Sequence, residues 1–85
     1  MKYSLRRISD NEGCDGKDSR AIKWREDNTY DETVSERPTI GYSMLVARGM
    51  STFWLTTVVT EVLEDTPTMV RFKTLNSEYI WKIIQ

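Results

Sequence analysis

The reactive groups of this sequence are one thiol at Cys14, five pairs of neighbouring carboxylates, and aromatic side chains interspersed with Arg and Lys. Histidine is absent, so neither a Ser-His-Asp nor a Cys-His arrangement can be assembled. Cys14 sits in Gly13-Cys14-Asp15-Gly16 with nothing basic immediately beside it, which reads as a solvated turn cysteine and not an activated thiolate. A single cysteine also excludes an internal disulfide and a cysteine-based structural zinc site. The carboxylate pairs are Asp10 with Glu12, Asp15 with Asp18, Glu26 with Asp27, Asp31 with Glu32, and Glu64 with Asp65. All fall in segments read as loops, so a solvated charge run explains them better than general acid–base chemistry. Asp10, Asn11, Glu12, Asp15 and Asp18 offer oxygen ligands, but not in the Asp-x-[Asp/Asn]-x-[Asp/Asn]-Gly order, closed by Glu at the twelfth position, of a calcium-binding loop. The expectation is a chain that is no enzyme and carries no metal or cofactor.

The aromatic and basic residues allow two binding chemistries. Small β-barrels read single-stranded nucleic acid with exposed aromatic faces beside cations, and Trp54, Trp81, Arg71 and Lys73 could supply them. Against this, 12 Lys and Arg meet 13 Asp and Glu, so no net field draws the protein toward a polyanion. Phe53, Phe72, Tyr79 and one or two tryptophans are also needed for a core. The other chemistry is protein recognition. Phe53-Trp54-Leu55 and Ile80-Trp81 put apolar side chains on both faces of their strands, more than one small core absorbs. A leftover patch marks a partner site or self-association. Tyr42, Arg48, Trp54 and Tyr30, with the loop of residues 26–37, are the expected contacts with an unidentified protein partner. Nucleic acid ranks second and no membrane is expected.

The elements that must position these residues are strands. Three hairpin connections, Arg48-Gly49-Met50-Ser51, Glu64-Asp65-Thr66-Pro67 and Asn76-Ser77, divide residues 39–84 into runs rich in Val, Ile, Thr, Phe, Tyr and Trp. Ile40, Tyr42, Met44 and Val46 share one strand face. Residues 52–64 form the longest strand, with Phe53 and Leu55 on one face and Trp54 and Val58 on the other. Neither face is polar, so a bend or bulge near Thr56-Thr57 is expected to switch which one looks inward. In residues 68–75, Val70 and Phe72 point inward and Arg71 and Lys73 outward. Residues 78–84 close the meander, covered by Tyr3 and Leu5 or by the first-half loop. Asn76 suits a tight corner because it tolerates positive φ, and Pro67 belongs in a loop.

Charge is concentrated upstream of this meander. Residues 1–38 hold 8 basic and 9 acidic side chains, and residues 39–85 hold 4 of each. Residues 3–8 read as a strand and residues 10–17 as loop. Residues 20–25 alternate Ile22 and Trp24 with polar groups as a strand would, with one capped helical turn as the alternative. Residues 26–37 contain only Tyr30 and Val34 as large apolar groups and read as a long polar loop. At 85 residues the chain makes one domain, residues 1–85, with a modest core. No apolar run spans a membrane and the start lacks a signal-peptide core, so a cytoplasmic location is expected.

The stretch Thr57-Val58-Val59-Thr60-Glu61-Val62, followed by Val70-Arg71-Phe72-Lys73-Thr74-Leu75-Asn76-Ser77-Glu78-Tyr79, resembles a pattern in small bacterial and phage β-barrel proteins. It combines a Thr-x-Val strand with a Phe-x-Thr-x-Asn-Ser-x-Tyr hairpin and covers about a quarter of the chain. The resemblance implies a compact SH3-like barrel and a phage or mobile-element accessory factor that binds a host protein. It brings no catalytic residues. The expected fold is all-β: a small SH3-like or related antiparallel barrel of five to six strands, with a long polar loop in the first half.

Overall fold

The computed structural model describes residues 1–32, 36–49 and 51–85, and among them there is no helix. Eight strand segments follow in order: β1 (Tyr3–Arg7), β2 (Gly13–Gly16), β3 (Asp18–Trp24), β4 (Tyr30–Glu32), β5 (Ser43–Ala47), β6 (Phe53–Asp65), β7 (Met69–Thr74) and β8 (Glu78–Ile83). All pairings are antiparallel, in the order β2-β1-β8-β7-β6-β5-β3-β4. Only Lys17 separates β2 from β3. Counted as one bent strand, that run makes seven strands and carries the ladder from β1 round to β5, curling the sheet into a barrel-like form. Val34 and the rest of residues 33–35, within the expected 26–37 loop, lie outside the described residues, as does Met50 of the first hairpin turn.

The core lies inside this curl. Leu5, Met44, Val46, Phe72 and Trp81 are fully buried, with Tyr3, Val59, Val70 and Tyr79 beside them. Tyr3 stacks on Trp81 with ring centroids 5.6 Å apart, and Phe72 on Tyr79 at 5.4 Å. The expected cover for the last strand is therefore met by β1, where Leu5 is directly opposite Trp81. The buried indole N–H of Trp81 donates to Ser19 Oγ at 2.9 Å, and that hydroxyl donates to the Glu36 carbonyl at 2.7 Å. An unpaired buried donor would cost about 1–3 kcal/mol, and this relay removes the cost. Residues 36–38 thus close one end of the curl. Tyr3 donates its phenol proton to Glu36 Oε2 at 2.5 Å, while the Arg37 guanidinium lies 5.1 Å over the Trp81 ring and bonds Asp65 and the carbonyls of Thr66 and Pro67.

Several expectations change. Residues 10–17 are not all loop, because β2 forms within them. Gly13 and Gly16 are there for close approach and not for a turn: a Cβ would come within 1.8 Å of the Leu5 carbonyl oxygen at Gly13 and 1.9 Å of the Ala47 carbonyl oxygen at Gly16. Residues 20–24 form the expected strand, within β3, and not the capped helical turn. The polar 26–37 stretch contains a hairpin, in which Asn28 at φ 68° and an Asp27 cap on Thr29 turn β3 into β4. The strand expected from Ile40 starts at Ser43, since Gly41 at φ 92° makes a turn there and leaves Ile40 exposed. Asn76 does not adopt positive φ; the corner is closed by the Thr74 N–H donating to the Ser77 carbonyl at 2.8 Å.

The long strand β6 bulges where expected. Ser43 pairs with Val58 and Leu45 with Leu55, so Thr56 and Thr57 together oppose Met44. The Thr56 hydroxyl accepts the Met44 N–H at 2.9 Å and donates to the Thr57 carbonyl at 2.7 Å, so the backbone donor facing the bulge keeps a partner. Two further register shifts follow against β7, between Val59 and Glu61 and between Val62 and Glu64. The bulge turns Trp54 toward the core and Phe53 away from it. Phe53 is therefore no core residue, contrary to expectation.

Two outcomes test this packing. Gly16→Ala should lower the unfolding free energy by about 3 kcal/mol or more, because backbone stands where the methyl would go. Gly49→Ala, whose Cβ would meet nothing within 4 Å, should stay within about 0.5 kcal/mol; urea unfolding reads both. The Tyr3 phenol is pushed up to about 12, first by its bond to the Glu36 carboxylate and then by burial and the Glu36 charge. An unfolded phenol ionises near 10, so this contribution is complete below pH 10 and is lost as pH rises from there through 12. Wild-type stability should fall over that window more steeply than that of Tyr3→Phe.

Candidate functional site

On the outer face of β3, β5 and the first half of β6, strand pairing aligns side chains in rows. Asp18, Ala47 and Phe53 make one row, and Arg20, Leu45 and Leu55 the next. Beyond them, Trp24 is opposite Tyr30 of β4, their rings edge to face with centroids 5.5 Å apart. These residues line an open groove of about 840 Å³, with Lys17, Arg48 and Gly49 at one end and Trp24 and Tyr30 at the other. Pockets that take small ligands run from roughly 300 to 1,000 Å³, so the groove has room for several side chains.

Its apolar groups are open to solvent. Phe53 is 55% exposed, Tyr30 50%, Trp24 44% and Leu55 37%. Trp24 is nonetheless held: its indole N–H donates to the buried Ser43 hydroxyl at 2.9 Å, which fixes the ring on the sheet face. Among the described residues the groove is lined by the cations of Lys17, Arg20 and Arg48 and the carboxylate of Asp18. Asp18 accepts from Arg20 Nε at 2.8 Å. Arg48 Nε reaches the Asp15 carbonyl at 3.4 Å, and among the described residues neither Arg48 nor Lys17 has an ion-pair partner.

Of the expected partner contacts, the structure brings Arg48 and Tyr30 to opposite ends of this groove. Tyr42 stands apart from it, with the Lys23 ammonium 5.7 Å from its ring centroid. Trp54 faces the other way, packed against the core beneath the Arg7 guanidinium, 5.2 Å from the ring, and its buried indole nitrogen has no partner among the described residues. The alternative nucleic-acid set is not assembled either. Trp81 is fully buried and has no face for a base. Arg71 is held by Glu78 at 2.5 Å and Glu64 at 3.6 Å, leaving the exposed Lys73 alone.

Trp24, Phe53, Leu55, Leu45, Lys17 and Arg20 were missed as contacts. Their signal was present in the alternation of Arg20, Ile22 and Trp24 and in Phe53 and Leu55 sharing one face of β6. Reading it required knowing that the bulge sends that face outward.

In four of the five carboxylate pairs at least one member has a structural partner, and the side chains of the fifth pair, Asp31 and Glu32, lie outside the described residues. Asp10 binds Arg7 and caps the Glu12 N–H at 3.1 Å, and the Arg7 bond, first, with that N–H holds it below the usual carboxylate range. Asp15 binds Arg6 at 2.9 Å and Asp65 binds Arg37 at 2.6 Å. No group of three or more His, Cys, Asp or Glu among the described residues is placed to hold a metal ion. Cys14 is buried, not a solvated turn residue, with its Sγ against the Asp15 and Thr52 carbonyls. No helix among the described residues is long and apolar enough to cross a membrane. No protein-family model, curated protein or solved structure matches this chain.

Proposed function

We propose that this chain is a non-enzymatic binding module that holds a protein partner in the groove between Arg48 and Trp24. One observation carries the reading: Trp24, Tyr30, Phe53 and Leu55 stay exposed together on one face of a domain whose core is filled elsewhere. Leaving apolar area in water costs roughly 25 cal/mol per Å², and a contiguous patch of this kind marks a recognition surface. The fold belongs in this reading with the small SH3-like barrels, with β2–β3 taken as one strand and β4 as an addition to a six-stranded ring. The small size and the Thr-x-Val and Asn-Ser-x-Tyr pattern favour a phage or mobile-element accessory factor acting on a host protein in the cytoplasm.

A second reading, single-stranded nucleic-acid binding, is favoured by the Lys17, Arg20 and Arg48 cations beside exposed rings. It moves from the Trp54, Trp81, Arg71 and Lys73 set to the groove.

Affinity capture from bacterial extract should retain a protein with the wild-type chain and lose it with Trp24→Ala/Phe53→Ser, both proteins being folded by circular dichroism. Equal retention by the two would count against the groove. Salt-sensitive binding of an oligothymidylate, with no protein retained, would give the site to nucleic acid.

A further inference from the structure

Resting on that reading, we infer that the groove's occupant is an extended acidic segment of the partner, with carboxylates at the Lys17 and Arg48 end and a bulky apolar side chain against Trp24 and Tyr30. The groove is polarised. The two cations without ion-pair partners among the described residues stand at the β2–β3 bend and the end of β5. The aromatic pair stands at the far end of β3, where that strand meets β4. From Asp18 to Trp24 the floor follows one strand, and at about 3.3 Å per residue it spans about 20 Å. A peptide of about six extended residues covers the same length. Between the ends, Leu45, Leu55 and Phe53 give an apolar floor.

Charge selects the occupant. Among the described residues Lys17 and Arg48 have no ion-pair partner, and the carboxylate of Asp18 is already engaged by Arg20. A basic segment would meet like charge at the rim, and one with no apolar side chain would leave Phe53 and Leu55 in water. A long polyanion is disfavoured because the cations are local. The whole chain carries a net charge of −1, and carboxylates at Asp10, Glu12, Glu26 and Asp27 flank the region in sequence. The ring geometry agrees: Trp24 and Tyr30 meet at 70°, a corner for one side chain and not two parallel platforms for successive bases.

Selection of a displayed random heptapeptide library on the immobilised full chain tests this. Sequences enriched in Asp or Glu beside Phe, Leu or Trp are expected, binding at least tenfold more weakly to Phe53→Ser. On Arg48→Glu, whose native guanidinium donates to the Asp15 carbonyl, the preference should move to Lys or Arg. Peptides that depend on Phe53 but are neutral or basic would overturn the acidic occupant and leave the groove as a protein site. Enrichment that ignores Phe53, or no enrichment over an empty surface, would overturn both. Two further results would also overturn the inference: tighter binding of an oligothymidylate than of any selected peptide, or a concentration-dependent doubling of mass that Phe53→Ser abolishes, the latter giving the groove to a second copy.

Discussion

The bulge at Thr56 and Thr57 decides which side chains of the longest strand are buried and which face solvent. One 13-residue strand, β6, pairs with β5 through its first half and with β7 through its second. A regular strand keeps one set of side chains on one face for its whole length, and both sets in β6 are apolar. The extra residue opposite Met44 breaks that parity. Trp54 and Thr56 turn inward before it and Val59 after it. The Thr56 hydroxyl is suited to the position because it takes the Met44 N–H that the ladder leaves over, so the irregularity costs no buried backbone donor.

From this parity follow the two aromatic environments of the molecule. Inside, Tyr3, Phe72, Tyr79 and Trp81 stack in pairs, and the polar atom of Trp81 is matched by Ser19 and, through it, Glu36. Outside, Phe53 and Leu55 extend the row begun by Arg20 and Leu45, and Trp24 is pinned over Ser43. The groove is therefore built on strands, its floor held by their pairing. Two of its cations come from element ends, Lys17 at the β2–β3 bend and Arg48 just after β5, and the third, Arg20, from within β3.

Legibility in the sequence followed the strength of local signals. β7 and β8 could be read directly, because Val70 and Phe72 alternate with Arg71 and Lys73 and a polar corner separates the strands. The bulge was legible for a different reason: two apolar faces on so long a strand demand a switch. Its direction was not, since Phe53 and Trp54 are equally good core residues by type, and Trp54 was assigned to the surface while Phe53 was assigned inside. β2 was hidden because Gly13, Asp15 and Gly16 are turn residues by composition, and only the closeness of the Leu5 and Ala47 carbonyls explains the glycines. β4 is too short and too polar to show a period. Of the groove, Arg48 and Tyr30 were found from their types, whereas Trp24 and Leu55 needed the partner strands.

The bulge places Phe53 outside and Trp54 inside. Thiol modification tests it directly, with Phe53→Cys and Trp54→Cys each made in a Cys14→Ser background and reacted with a soluble disulfide reagent under native conditions. The thiol of Phe53→Cys should react at close to its rate in the urea-unfolded protein, and that of Trp54→Cys at least tenfold more slowly. Equal protection of the two, or faster reaction in Trp54→Cys, would contradict it.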